Sequence, residues 1–213
     1  MKNASKLLVL ISLFASNGLF AQSEKLPIYG HVAIGYGNTF FYGTLAEKET
    51  INDGRGFGRN QGNTLSTFFY VAPEKWNGLG IGSGVKGFFA TPNDGGDNET
   101  YLFNYYHVSL GLKYHPFSKQ FNKGWYTKAN FGFGQMTEKM RYNDENRYEH
   151  QFAIGTTLLG GIGYAFPIGK SKKSAINIDL EAEYSSRRGD VTDIGESQQF
   201  QNSHVSINFG FSF

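Results

Sequence analysis

Two tripeptides, His107-Val108-Ser109 and His204-Val205-Ser206, place an imidazole and a hydroxyl two residues apart. A serine becomes nucleophilic when a neighbouring base takes its proton. On a strand, i and i+2 share a face. The pair is therefore raw material for acyl transfer or ester hydrolysis, with His107 and Ser109 the better candidates. The plainer reading is that both side chains hydrogen-bond inside the fold. Asp94-Gly-Gly-Asp97-Asn-Glu99 carries oxygen ligands enough for Ca²⁺ but lacks the EF-hand spacing, so it reads as a solvated loop. The Gly-rich stretch Asp53-Gly-Arg-Gly-Phe-Gly58 precedes no helical pattern, which leaves a nucleotide cradle without support. Arg188-Gly189-Asp190 spells an adhesive tripeptide, yet Gly-Asp is ordinary turn chemistry. No metal-ligand constellation or cofactor motif stands out.

The scaffold that positions these groups is announced at the head of the chain. Leu7 to Ala21 is apolar, preceded by Lys2 and Lys6 and followed by Gln22-Ser23-Glu24-Lys25. It is short of the roughly 20 residues of a spanning helix. A basic start, a short apolar core and a small residue describe a secretory signal peptide, with cleavage expected after Ala21. The mature domain is then 22–213, one unit with no linker. The chain contains 0 Cys, so no disulfide framework exists. Loss of Lys2 and Lys6 takes the 20 basic residues to 18, against 18 acidic. A near-neutral chain without a basic stripe does not suit a nucleic-acid binder.

Eight segments alternate apolar with small or polar residues, near 28–41, 63–72, 78–90, 100–115, 124–138, 150–166, 175–187 and 200–213. No helical period competes with them. Short connections that begin with Pro (Pro73 to Gly78, Pro116 to Gly124, Pro167 to Ser174) take turns with longer polar ones near 43–62, 91–99, 139–149 and 188–199. Pro lacks the N–H that a ladder needs and suits strand ends. Short turns on one side and long loops on the other predict an all-β fold: an eight-stranded antiparallel up-and-down transmembrane β-barrel, both termini on the short-turn side.

Parity assigns the faces. Ile176, Ile178, Leu180, Ala182 and Tyr184 face lipid, which leaves Asn177, Asp179, Glu181 and Glu183 inside. Tyr106, Val108, Leu110, Leu112 and Tyr114 point out, with His107, Ser109 and Lys113 inward. Lys86 and Lys128 fall on inward parity too. Every mid-strand charge thus lands on the inner face, the reverse of a water-soluble sandwich. A narrow lumen makes unpaired charge costly, so Lys86, Lys113 and Lys128 are expected to meet Asp179, Glu181 and Glu183 as a plug. Trp76, Trp125, Tyr114, Tyr164 and Phe166 gather near the short turns, as an aromatic girdle does. The six Arg residues, Arg55, Arg59, Arg141, Arg147, Arg187 and Arg188, fall in or beside the long loops. Guanidinium forks match phosphate, so these are candidates for contact with lipopolysaccharide on the outer leaflet.

The signal peptide, eight amphipathic segments, short turns and the final alternating strand Val205-Ser-Ile-Asn-Phe-Gly-Phe-Ser-Phe213 resemble the small outer-membrane barrels typified by the outer membrane protein A barrel. The resemblance implies the outer membrane of a Gram-negative cell, a monomer among lipid and lipopolysaccharide, and Phe213 as the signal read by the barrel assembly machinery. The resemblance is unspecific for activity; the reading taken is a non-enzymatic role, in which the barrel anchors surface loops for envelope structure or surface contact. A lipid-A-modifying enzyme is the first alternative. Lipid A deacylases carry a similar His-x-Ser pair, but theirs is followed by Asn, where Leu110 and Ile207 stand here. A narrow channel for small solutes is the second.

Overall fold

The computed structural model describes residues 27–43, 61–90, 93–94, 99–142, 147–169, 174–191 and 197–213. Eight long strands account for nearly all of them: β1 (Ile28–Gly43), β2 (Gln61–Val71), β3 (Leu79–Ala90), β4 (Glu99–Tyr114), β5 (Gly124–Tyr142), β6 (Arg147–Ile168), β7 (Ser174–Val191) and β8 (Ser197–Ser212). Each pairs antiparallel with its sequence neighbours, and β1 pairs with β8 from His31↔Ser212 to Gly43↔Phe200. The sheet is therefore closed: an eight-stranded up-and-down barrel. A two-residue strand, Asn93–Asp94, pairs with the start of β4.

Alternation survives the whole circuit. In β6, Leu158 is 59% exposed and the next residue, Leu159, is 1% exposed. Outward rows such as Phe131↔Leu158↔Tyr184 and Thr127↔Ile162↔Leu180 run across neighbouring strands in register. All eight strands contribute exposed aliphatic or aromatic side chains to this belt. Water does not tolerate a continuous apolar band of that extent on a monomer, whereas hydrocarbon requires it.

The short turns are tightly built. After β2, Pro73 leads into a single 3₁₀ turn, Glu74–Trp76, closed by Asn77 with φ 49° and Gly78 with φ 84°. Gly78 also lies against the next turn: a Cβ there would come within 2.9 Å of the His115 carbonyl oxygen. The turn after β4 folds Phe121 and Asn122 back into the barrel mouth, both buried, while Lys119, Gln120 and Lys123 stay exposed. The last residue is held as well: Gly30 and Phe213 exchange backbone hydrogen bonds of 2.9 and 3.0 Å.

Three expectations are corrected. The outer connections near 139–149 and 188–199 are largely strand, because β5 runs to Tyr142, β6 starts at Arg147, β7 runs to Val191 and β8 starts at Ser197. Polar residues end a membrane-facing stripe without ending a hydrogen-bonded ladder, so the wall continues past the apolar belt. Arg188-Gly189-Asp190 accordingly sits in the ladder, Gly189 opposite both Ala153 and Gln198, and is not a loop motif. Pro167 lies within the strand, opposite Ala175 near the end of β6, rather than opening the turn.

Burying a charge at mid-barrel reads the depth of the belt. Leu158→Arg, compared with Leu158→Ala, is expected to cost about 2–4 kcal/mol in denaturant titrations of the bilayer-folded protein. A difference under ~1 kcal/mol would place Leu158 outside the hydrocarbon.

Candidate functional site

The interior of the barrel holds the chemistry. Because β7 alternates strictly, Asn177, Asp179, Glu181, Glu183, Ser185 and Arg187 form one inward column, each at most 3% exposed. Facing them are Lys86 from β3, His107 and Lys113 from β4, Tyr126 and Lys128 from β5, and His204 and Asn208 from β8, all buried. Glycine makes space for this. At Gly163 a Cβ would lie 2.6 Å from the Tyr126 hydroxyl and 2.6 Å from the Asp179 Cβ.

The central layer is an ion-pair network. Lys86 Nζ donates to Glu181 Oε2 at 2.6 Å and lies 3.2 Å from Glu183 Oε2. Lys128 Nζ pairs with Glu181 and donates to Asp179 Oδ1 at 2.8 Å. Asp179 also accepts the Tyr126 hydroxyl at 2.8 Å and the Asn208 amide at 3.1 Å. His107 Nε2 lies 3.5 Å from Glu183 Oε2. Five of the six residues expected to form a charged plug are thus joined, Lys86 and Lys128 to Asp179, Glu181 and Glu183. Lys113 is placed differently. Its Nζ donates to Asn177 Oδ1 at 3.2 Å and sits 4.1 Å from the Tyr126 ring centroid, a cation–π seat rather than an acid.

Above this layer lies an interaction that polarity alone does not reveal. The sequence pattern puts Arg187 at the outer surface against lipopolysaccharide, but its side chain is 2% exposed inside the barrel. Its guanidinium donates to Asn202 Oδ1 at 2.8 Å and Thr157 Oγ1 at 3.2 Å, and stands 4.9 Å from the Tyr105 ring. A group so enclosed cannot reach the leaflet. The parity of 177, 179, 181, 183 and 185 carries on to 187, and that is the signal in the sequence that points inward. Phe41, Phe88, Phe103, Tyr105, Met136 and Phe200 pack around this level as an aromatic cap.

Below the network, the β4–β5 turn forms a floor. Phe121 lies 4.9 Å from Tyr29 and 5.2 Å from His115, ring centre to ring centre. The Asn122 backbone N–H donates to His115 Nε2 at 3.2 Å, which leaves Nδ1 as the protonated nitrogen, donating to the Lys123 carbonyl at 3.0 Å. Burial pushes the His115 imidazole down to about 3, and the nearby Lys113 ammonium acts in the same direction.

The remaining candidates divide simply. His107 and Ser109 are both in the lumen, 0% and 4% exposed. The Ser109 hydroxyl makes no hydrogen bond among the described residues, so no base touches its oxygen, and the His107 ring lies toward Glu183 instead. His204 Nδ1 bonds Thr39 Oγ1 at 3.0 Å, and Asn208 donates to Ser206 Oγ at 3.3 Å. Arg188 is exposed near the outer end of β7. Arg141 and Arg147 sit on the β5 and β6 backbones, opposite Tyr148 and Tyr142. Arg55, Arg59, the expected signal peptide and the Gly-rich 53–58 stretch lie outside the described residues, as do residues 95–98 of the acidic stretch.

No protein-family profile matches the sequence, and no curated protein is significantly similar to it. Solved structures do share the fold. Ail, the attachment invasion locus protein of Yersinia pestis, superposes with a TM-score of 0.53 at 14% identity, over 87% of this chain and 98% of Ail. The same protein in complex with the heparin analogue sucrose octasulfate gives 0.54 at 13% identity, over 87% and 99%. A major outer membrane protein from Thermus thermophilus gives 0.50 at 15% identity, over 87% and 98%. The chain thus has the fold of the small eight-stranded outer-membrane barrels.

Two outcomes follow from the lumen. Lys86→Met leaves Glu183 with no lysine and Glu181 with Lys128 alone, and urea unfolding should show a loss of about 3–5 kcal/mol, largely recovered when Glu183→Gln is added. An equal loss in the double variant would show that packing, not pairing, is what Lys86 supplies. The second concerns His115, whose folded pKa lies below the ordinary imidazole value. Its stabilising share is complete above about pH 6.5 and is lost as pH falls from there toward 3. Stability should therefore drop less between about pH 7.5 and pH 4.5 in His115→Gln than in the parent. Parallel urea midpoints at the two pH values test this.

Proposed function

We propose that this chain is a monomeric, non-enzymatic outer-membrane barrel. Its plugged wall holds surface segments outside the cell, for envelope structure or surface contact. The observation that carries the reading is the closed lumen: Lys86, Lys128, Asp179, Glu181 and Glu183 are ion-paired with one another at exposures of 1–8%. Charges that line a conducting pore keep water around them, whereas these have exchanged water for each other. The strands that overrun the apolar belt, up to 22 residues in β6, give a stiff platform on the outer side. Ail, named for attachment and invasion, has the same architecture.

Lipopolysaccharide contact fits the exposed Arg188 best, with Arg141, Arg147, Arg55 and Arg59 as further donors to headgroup phosphate. Arg187 is not among them. The aromatic Phe213, held in register against Gly30, is suited to serve the assembly machinery as a strand-end signal. A deacylase-like activity finds no activated serine at Ser109.

Planar-bilayer recordings on purified monomer should show no stable, large conductance step. Mass spectrometry of lipid A should show the same acyl pattern with and without the protein. A persistent open level would favour the channel alternative, and a missing acyl chain the enzyme.

A further inference from the structure

Beside the floor of the barrel, on its outer wall, lies a cleft of about 570 Å³ that neither the lumen nor the surface platform accounts for. One side is the β4–β5 turn, with Phe117, Lys119, Gln120 and Lys123; the other is Trp125, Tyr164 and Pro167. Its lining includes two lysines and no carboxylate. Neither Lys119 nor Lys123 forms an ion pair among the described residues, and both are exposed. Phe117 is 86% exposed, the most exposed large apolar side chain among the described residues. Trp125 and Tyr164 meet edge to face at 5.4 Å on the lipid side, the arrangement expected at headgroup depth. The turn is not free to swing, because Phe121 and Asn122 pin it into the barrel between the two lysines.

A cavity with cations at its rim and bare rings along its wall fits an amphipathic anion. Its volume lies in the range of small-ligand sites, roughly 300–1,000 Å³. We propose that this cleft seats the headgroup of one anionic phospholipid from the leaflet on the short-turn side. Lys119 and Lys123 meet the phosphate, while Phe117 and Trp125 lie along the glycerol and first acyl carbons. The assignment rests on the membrane-spanning reading of the barrel and adds a ligand to it.

The test uses the full mature chain in nanodiscs of equal phosphatidylglycerol and phosphatidylcholine, with lipids retained after release counted by native mass spectrometry. One phosphatidylglycerol should be retained in preference to phosphatidylcholine. Lys119→Gln with Lys123→Gln should cut that preference roughly tenfold or more, the scale for two lysines at a charged bilayer surface. Lys119→Arg with Lys123→Arg should keep it, and Phe117→Ser should weaken it. Inorganic phosphate should not displace the lipid. Equal retention of the two lipids, an unchanged preference in the double Gln variant, or displacement by inorganic phosphate would each overturn the seat. Heat-modifiable electrophoretic mobility in the same discs reports insertion separately. A chain that never inserts refutes the membrane reading itself, whereas an inserted barrel without lipid preference refutes only this ligand.

Discussion

A peptide group in hydrocarbon has no water to bond, so each N–H and C=O must find its partner within the protein. For strands that demand is met only when the sheet has no edge, and here the ladder from His31↔Ser212 to Gly43↔Phe200 removes the last one. Closure divides space into a lipid side and an enclosed side, and the pleat then decides every side chain's fate. Leu158 and Leu159 are the same residue type one position apart, and they end in opposite media.

Enclosure sets the second problem. Lys86, Lys113, Lys128 and Arg187 share the interior with Asp179, Glu181 and Glu183, far from bulk water. The cost of burying such groups is offset only by close pairing and by hydrogen bonds to what remains. β7 supplies the three acids, and β3 and β5 supply the lysines that reach them. The surplus cations are accommodated by rings and amides, Lys113 over Tyr126 with Asn177, and Arg187 over Tyr105 with Asn202. Ionic contacts across the lumen, from β7 to β3 and to β5, tie distant strands together and fix which faces which.

Much of this is legible in the residues alone. Eight segments, the antiparallel circuit and the inward placement of Lys86, Lys128 and the β7 acids follow from a period of two, which a single sequence displays directly. Strand ends are less legible. Polar residues such as those of Arg188-Gly189-Asp190 look like loop in a pattern that tracks only the membrane-facing stripe, while backbone pairing continues without apolar help. Arg187 is misplaced for the same reason: polarity assigns its neighbourhood to the surface, although its parity points inward. The cation–π seat of Lys113 depends on the depth at which Tyr126 and Phe121 meet it, and strand stagger sets that depth, not residue order.

The central claim is the division of one continuous wall between lipid and interior. Intermolecular NOEs from lipid acyl protons to assigned methyl groups, recorded in bicelles, measure it without any substitution. The account predicts cross-peaks to outward Leu110, Ile154, Leu158, Ile178 and Leu180, and none to inward Leu159 or Ala153. Equal contact at Leu158 and Leu159, or lipid contact confined to the latter, would contradict it.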